Sequence, residues 1–231
     1  MLDKHFTYLI INFLSILYPL AQSFEHRLNY YKKWKFLFPS ILLTGVFFIV
    51  WDIFKTGLGI WSFNPDFIVG IYFFNLPVEE CLFFLTIPYA LVFIYEVLNY
   101  YIKKDVLGNY GIRIAQYLGI LNIIISLIFY DKSYTFVALL LNGIFLLLHS
   151  YLFRFKWLGR FFLAYLISLL PFFIVNGLLT SMPVVIYNDA ENTGLRLFTI
   201  PIEDTMYSML LFLVNITIYE NLKMRWKKKN L

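Results

Sequence analysis

Charge is scarce in this chain, and cysteine is nearly absent. Only 14% of its 231 residues are Asp, Glu, Lys or Arg, against about 25% in an ordinary soluble domain. That scarcity points to lipid rather than water as the solvent. The single cysteine, Cys81, excludes an internal disulfide and a thiolate metal site. No charged n-region with a small-residue cleavage site stands at the start, so a removed signal peptide is not expected. No Gly-x-Gly-x-x-Gly follows a strand, which excludes the usual dinucleotide fingerprint. No Asp-rich box is repeated to hold a magnesium diphosphate, and Asn188-Asp189-Ala190-Glu191 is a single weak approximation. The net charge of +5 does not indicate nucleic acid in so apolar a chain. Basic loops on one membrane face account for it better.

What the chain has is hydrophobic length. Its residues are 61% hydrophobic, with a mean hydropathy of +0.72. A helix needs roughly 20 apolar residues to cross the hydrocarbon core. Stretches near 6–23, 35–51, 77–100, 111–130, 134–152, 160–179 and 203–222 qualify. Sorting the 19 basic residues by loop puts 15 on one face, among them Arg27, Lys32, Lys103, Arg154, Arg160 and Lys223. Lys4, Lys55, Lys132 and Arg196 fall on the other. The positive-inside rule predicts a multi-pass cell-membrane protein with its N-terminus outside and its Lys-rich C-terminus in the cytoplasm.

A shift of 124 positions overlays two segments without a gap. Gly70-Ile-Tyr-Phe-Phe-Asn-Leu-Pro77-Val-Glu79-Glu80 lies over Gly194-Leu-Arg-Leu-Phe-Thr-Ile-Pro201-Ile-Glu203-Asp204. Further on, Tyr95-Glu96 lies over Tyr219-Glu220, and Lys33-Trp34 matches Lys156-Trp157 with a one-residue slip. The expected fold is an all-α integral membrane protein of seven transmembrane helices. Two three-helix repeats, 1–105 and 131–231, are joined by a connector helix in 106–130. An even number of crossings separates the repeats, so they are parallel, with a pseudo-twofold axis along the membrane normal.

Each repeat's last helix opens on Pro-x-Glu-acid. Proline suits a first helical turn, so Glu79, Glu80, Glu203 and Asp204 are expected near the third and fourth helical positions. They could simply satisfy first-turn N–H groups and the helix dipole. Four carboxylates in an apolar bundle are costly, however, and ionisable groups at membrane depth are functional candidates. Adjacent helical residues point about 100° apart, so one of each pair would face a substrate.

At 21% Phe, Tyr and Trp, rings are available for interface belts, expected for Trp51, Trp61, Trp157 and Trp226. Ring faces also stabilise a carbocation, and Phe83 and Phe84 follow the first motif. His149 reads as a satisfied core histidine. Asn122, Asn142, Asn176 and Asn215 read as links between helices. Glu96 and Glu220 are expected to pair with cations near Lys103 and Lys223. A retinal protein would need a lysine deep in helix seven, and Lys223 is placed past its end.

Trp51-Asp52, Gly59-Ile60-Trp61-Ser62-Phe63-Asn64 and Leu76-Pro77-Val78-Glu79-Glu80-Cys81-Leu82-Phe83-Phe84 resemble the first half of the membrane lycopene cyclases. Val175-Asn176-Gly177-x-Leu179-Thr180, Pro183-Val184-Val185, Gly194-Leu195-Arg196 and Ile200-Pro201-Ile202-Glu203-Asp204 resemble the second. This is the flavin-independent type, known as two small subunits or one fused chain. The resemblance covers nearly the whole chain.

It implies a lycopene β-cyclase, an isomerase of carotenoid biosynthesis that makes β-carotene through γ-carotene. No cofactor and no metal are implied. Glu79, Glu80, Glu203 and Asp204 would carry the acid/base chemistry, with supporting roles for Asp52, Trp61, Asn176 and Arg196. The implied partners are the carotenoid substrate and the lipid bilayer; a homo-oligomer is left open. C50 or other acyclic carotenoids are alternative substrates. From another class, a small membrane transporter would use the carboxylates as a proton or cation site.

Overall fold

A computed structural model describes residues 3–153 and 155–230. Arg154, counted above among the basic residues of one face, lies outside them. Seven α-helices follow the hydrophobic runs closely: α1 Thr7–Ala21, α2 Trp34–Gly57, α3 Val78–Tyr101, α4 Gly111–Ile128, α5 Ser133–Leu147, α6 Leu158–Ser181 and α7 Glu203–Lys229. Among the described residues six spans are long and apolar enough to cross a membrane, α1 and α5 counting with the helical turns that extend them to Lys4–Phe24 and Ser133–Phe153, as a mostly helical multi-pass membrane protein requires. The exception is α7, which carries Glu203 and Asp204 in its first turn and three lysines in its last. Its middle is nonetheless core, since Leu210, Phe212, Leu213 and Ile216 are fully buried.

The helices interleave. The last helices of the two halves, α3 and α7, are in contact, with α1 against α3 and α5 against α7. The middle helices then cross over: α2 packs on α7, and α6 on α3. α4 lies against α5, where Gly119 and Gly143 let the backbones meet. A Cβ on Gly143 would come within 2.8 Å of the Gly119 carbonyl oxygen, the small-residue contact favoured between helices in lipid.

Three short strand pairs interrupt the all-helical expectation. β1 (Trp61–Phe63) pairs antiparallel with β4 (Val185–Tyr187), joining the loop before α3 to the loop before α7. Ser62 pairs with Ile186, 124 positions on. Two hairpins follow, β2 (Tyr72–Phe73) with β3 (Leu76–Pro77), and β5 (Arg196–Leu197) with β6 (Ile200–Pro201). Both keep the 124-residue offset in every pair. Positive φ recurs at the same offset, at Gly70 and Gly194 and at the hairpin tips Phe74 and Phe198.

Several expectations are corrected. Pro77 and Pro201 lie in β3 and β6 rather than in a first helical turn. α7 runs to Lys229, so Lys223 sits within the helix, where its ammonium binds Glu96 at 2.8 Å and Glu220 at 2.7 Å. Glu96 takes its second cation from Lys33. Lys103 instead lies over the Tyr100 ring. Trp51 and Trp61 are buried, not interfacial; Trp226 is half-exposed with Lys35 over its ring.

Other expectations agree with the structure. His149 is buried and bonded through both ring nitrogens, to the Phe145 carbonyl and the Thr217 hydroxyl. Asn122, Asn142 and Asn215 link helices, but Asn176 bonds only within α6, to the Phe172 carbonyl.

Candidate functional site

At the end of the bundle where α3 and α7 begin, helices from both halves enclose a chamber of about 70 Å³. Asp52 reaches it from near the end of α2, Glu80 from the first turn of α3, and Asp204 from the first turn of α7. All three carboxyls are buried. The pair β1–β4 closes the loop side. Side chains alternate across a strand, so Trp61, Phe63, Val185 and Tyr187 line the chamber while Ser62 and Ile186 point away and are exposed.

Each carboxyl is met by tyrosine. The Tyr8 hydroxyl of α1 donates to Glu80 Oε2 at 2.5 Å. In α5, Tyr134 donates to Asp204 Oδ1, and Tyr187 donates to Asp204 Oδ2 at 2.8 Å. Tyr207 of α7 donates to Asp52 Oδ1 at 2.8 Å. Burial first, and then the nearby Asp204, push the Tyr187 phenol well above its ordinary range, so it remains a donor. Asp52 and Glu80 line the same chamber.

The rings form a box around these groups. Trp61 meets Tyr134 edge-on at 5.2 Å between centroids, and Tyr187 and Tyr207 at 6.1 and 6.4 Å. Phe83 completes the wall beside Tyr8, and Asn176 lines the side toward α6. Aromatic faces and buried carboxylates together suit a transient cation sheltered from water.

The remaining sequence candidates lie elsewhere. Glu79 and Glu203 are buried but turn toward the hairpins. Glu79 Oε1 accepts the Val69 N–H at 2.6 Å. Glu203 Oε1 accepts the Thr193 N–H at 2.8 Å and the hydroxyls of Thr193 and Thr135. Val69 and Thr193 are again 124 positions apart. These acids tie loop to helix rather than capping their own first turns. Phe84 is fully buried against Phe48, in the core between α2 and α3. Arg196 binds Asp189 and the Thr199 carbonyl, and it approaches the chamber only by lying over Tyr187, at 5.8 Å.

Sequence reasoning missed Tyr8, Tyr134, Tyr187 and Tyr207. Tyr8 and Tyr134 hold matching places in the two halves but lie 126 positions apart, so an overlay at 124 does not align them. Although three carboxyls share the chamber, no group of three or more His, Cys, Asp or Glu side chains among the described residues is arranged to hold a metal ion.

A family model described as lycopene cyclase matches residues 5–98 and 131–222. The two matched segments leave α4 and its flanks between them. Comparisons with curated proteins and with solved structures give no match.

Proposed function

Because this chain belongs to the lycopene cyclase family, we propose that it closes the acyclic ends of lycopene into β rings by acid/base isomerisation. The product would be β-carotene, reached through γ-carotene. The observation that carries this reading is the convergence of Asp52, Glu80 and Asp204, each held by tyrosine, on one aromatic-walled chamber.

The chemistry needs one proton in and one proton out. The Asp52–Glu80 pair, held in the chamber by Tyr207 and Tyr8, is read as the acid. Protonation of the terminal alkene at C2 leaves a tertiary cation at C1. The C5–C6 alkene attacks C1, forming the ring bond and moving the cation to C5. Asp204, fixed by Tyr134 and Tyr187, takes the C6 proton, and the ring double bond forms between C5 and C6. No electrons are gained or lost. The ring faces of Trp61, Tyr134 and Tyr207 stabilise the cation in between.

Glu79 and Glu203 are read as positioning residues that brace the two hairpins, and Arg196 as one that steadies Tyr187. Phe83 is read as chamber wall, Phe84 as packing behind it, and Asn176 as a polar contact on the α6 side.

The recurrent 124-residue offset supports two parallel repeats, 1–105 and 131–231, with α4 in the connector 106–130. The antiparallel pairing of β1 with β4 about the equivalent positions Ser62 and Ile186 is what a pseudo-twofold axis would produce. In this reading α7 is the seventh crossing, with the N-terminus outside and the C-terminus in the cytoplasm.

Expression in a host that accumulates lycopene tests the function. A shift from red to yellow-orange, with β-carotene found by chromatography, is expected. Unchanged pigment would favour the transporter reading instead.

A further inference from the structure

We propose that the apolar groove between α1, α3 and α6 binds the polyene of an acyclic carotenoid, and that substrate reaches the chamber through it, sideways from the bilayer core. This inference rests on the cyclase reading and extends it to where most of the substrate lies.

The groove has a volume of about 440 Å³, far more than the chamber's 70 Å³. The two adjoin, because Ile87, Phe172, Asn176 and Ser208 line both. No charged side chain lines the groove. Two of its hydroxyls are already satisfied within their own helices, Ser15 by the Ile11 carbonyl and Ser168 by the Tyr165 carbonyl. Apart from Tyr18, Asn176 and Ser208, what remains is a hydrocarbon surface.

Its mouth faces lipid. Leu14, Tyr18 and Ile174 at the rim are exposed, and all lie in helices apolar enough to span the membrane. α1 packs on α3 but hardly touches α6, so the gap between α1 and α6 is a side opening. The loop side is shut by β1 and β4. Among the described residues this groove is the apolar approach that adjoins the chamber, and the chamber is far smaller than the groove.

One chamber with one groove also sets the order of events. The two rings cannot close together. After the first closure the molecule must withdraw, reverse, and present its other end.

The test narrows the groove. Ala90→Trp on α3 and Ser15→Trp on α1 are compared with Val46→Trp, in an outward cleft of α2 that shares no residue with the chamber. Each variant is given lycopene and a short acyclic terpene with the same end group but no long polyene. Pigment co-purifying with each protein is measured as well.

Both groove variants should cyclise lycopene at least tenfold more slowly and retain less of it, while the short substrate, which passes the groove without filling it, should be slowed clearly less. Val46→Trp should match wild type on both. Wild-type rates on lycopene in both groove variants would overturn the proposal. So would equal loss on both substrates, or membrane lipid alone co-purifying with wild type. If wild type closes no ring yet binds lycopene, and Ala90→Trp does not, the cyclase reading fails and the groove stands.

Discussion

Tyr207, in the last helix of the chain, donates its hydroxyl to Asp52, in the second helix, at 2.8 Å. The bond crosses from one half of the sequence to the other inside the chamber. Neither half alone encloses the carboxyls, because α2 belongs to the first and packs against α7 of the second.

Tyr207→Phe therefore removes a positioning donor without removing a ring. A hydrogen bond to a charged group is worth about 1.5–3 kcal/mol, so ring formation should slow roughly tenfold to a hundredfold. The protein should stay membrane-inserted and keep its melting temperature within a few degrees. Unchanged turnover would show that Asp52 needs no such hold.

The two acidic pairs should divide in their mutational behaviour. Glu80→Gln and Asp204→Asn line the chamber and should lose more than the ~10²-fold typical of general acid or base catalysis. Glu79→Gln and Glu203→Gln weaken hairpin contacts and should lower thermal stability in detergent more than turnover. If Glu79→Gln or Glu203→Gln abolished ring closure in a stably folded protein, the assignment within that pair would be reversed.

This division shows what the sequence carries and what it hides. The seven helices were legible because hydrophobic runs of spanning length are long, redundant signals. Glu80 and Asp204 were legible as members of acid pairs, but which acid turns inward depends on where the helix starts. That start is displaced by the hairpin strands holding Pro77 and Pro201. Strands of two or three residues leave no period to read. The tyrosines were hidden for another reason. In a chain with 18 Tyr, a Tyr in an apolar helix carries no mark of its partner, and Tyr8 and Tyr134 sit two residues off the repeat offset. The pair Asp52 and Asn176, 124 positions apart, could have been aligned by the repeat alone.

Orientation can be read by labelling. In a Cys81→Ala background, single cysteines replacing Lys32, Lys104, Lys156 or Lys228 should be blocked only by permeant reagents. Cysteines replacing Leu58, Asp131 or Ala190 should react with impermeant ones in whole cells. These positions belong to loops or ends that lie on opposite faces when every helix crosses. A reproducible reversal at one site would break the parallel-repeat reading, since one of the helices would then not cross.

The origin of the proton tests the mechanism itself. If the Asp52–Glu80 pair begins ring closure, it must be recharged from water after each turnover, because carboxylic protons exchange. Cyclisation in D₂O should then place one deuterium at C2 for each ring formed. β-carotene would carry two, and the singly cyclised product one. Mass spectrometry of the product reads the count directly. The proton leaving C6 goes to Asp204 rather than back to the Asp52–Glu80 pair, so it should not return to C2 of the same molecule. A protein in which one carboxyl served as both acid and base could recycle that proton and fall short of the full count. Product with no deuterium at C2 would sink proton initiation, and with it the roles given to Asp52, Glu80 and Asp204.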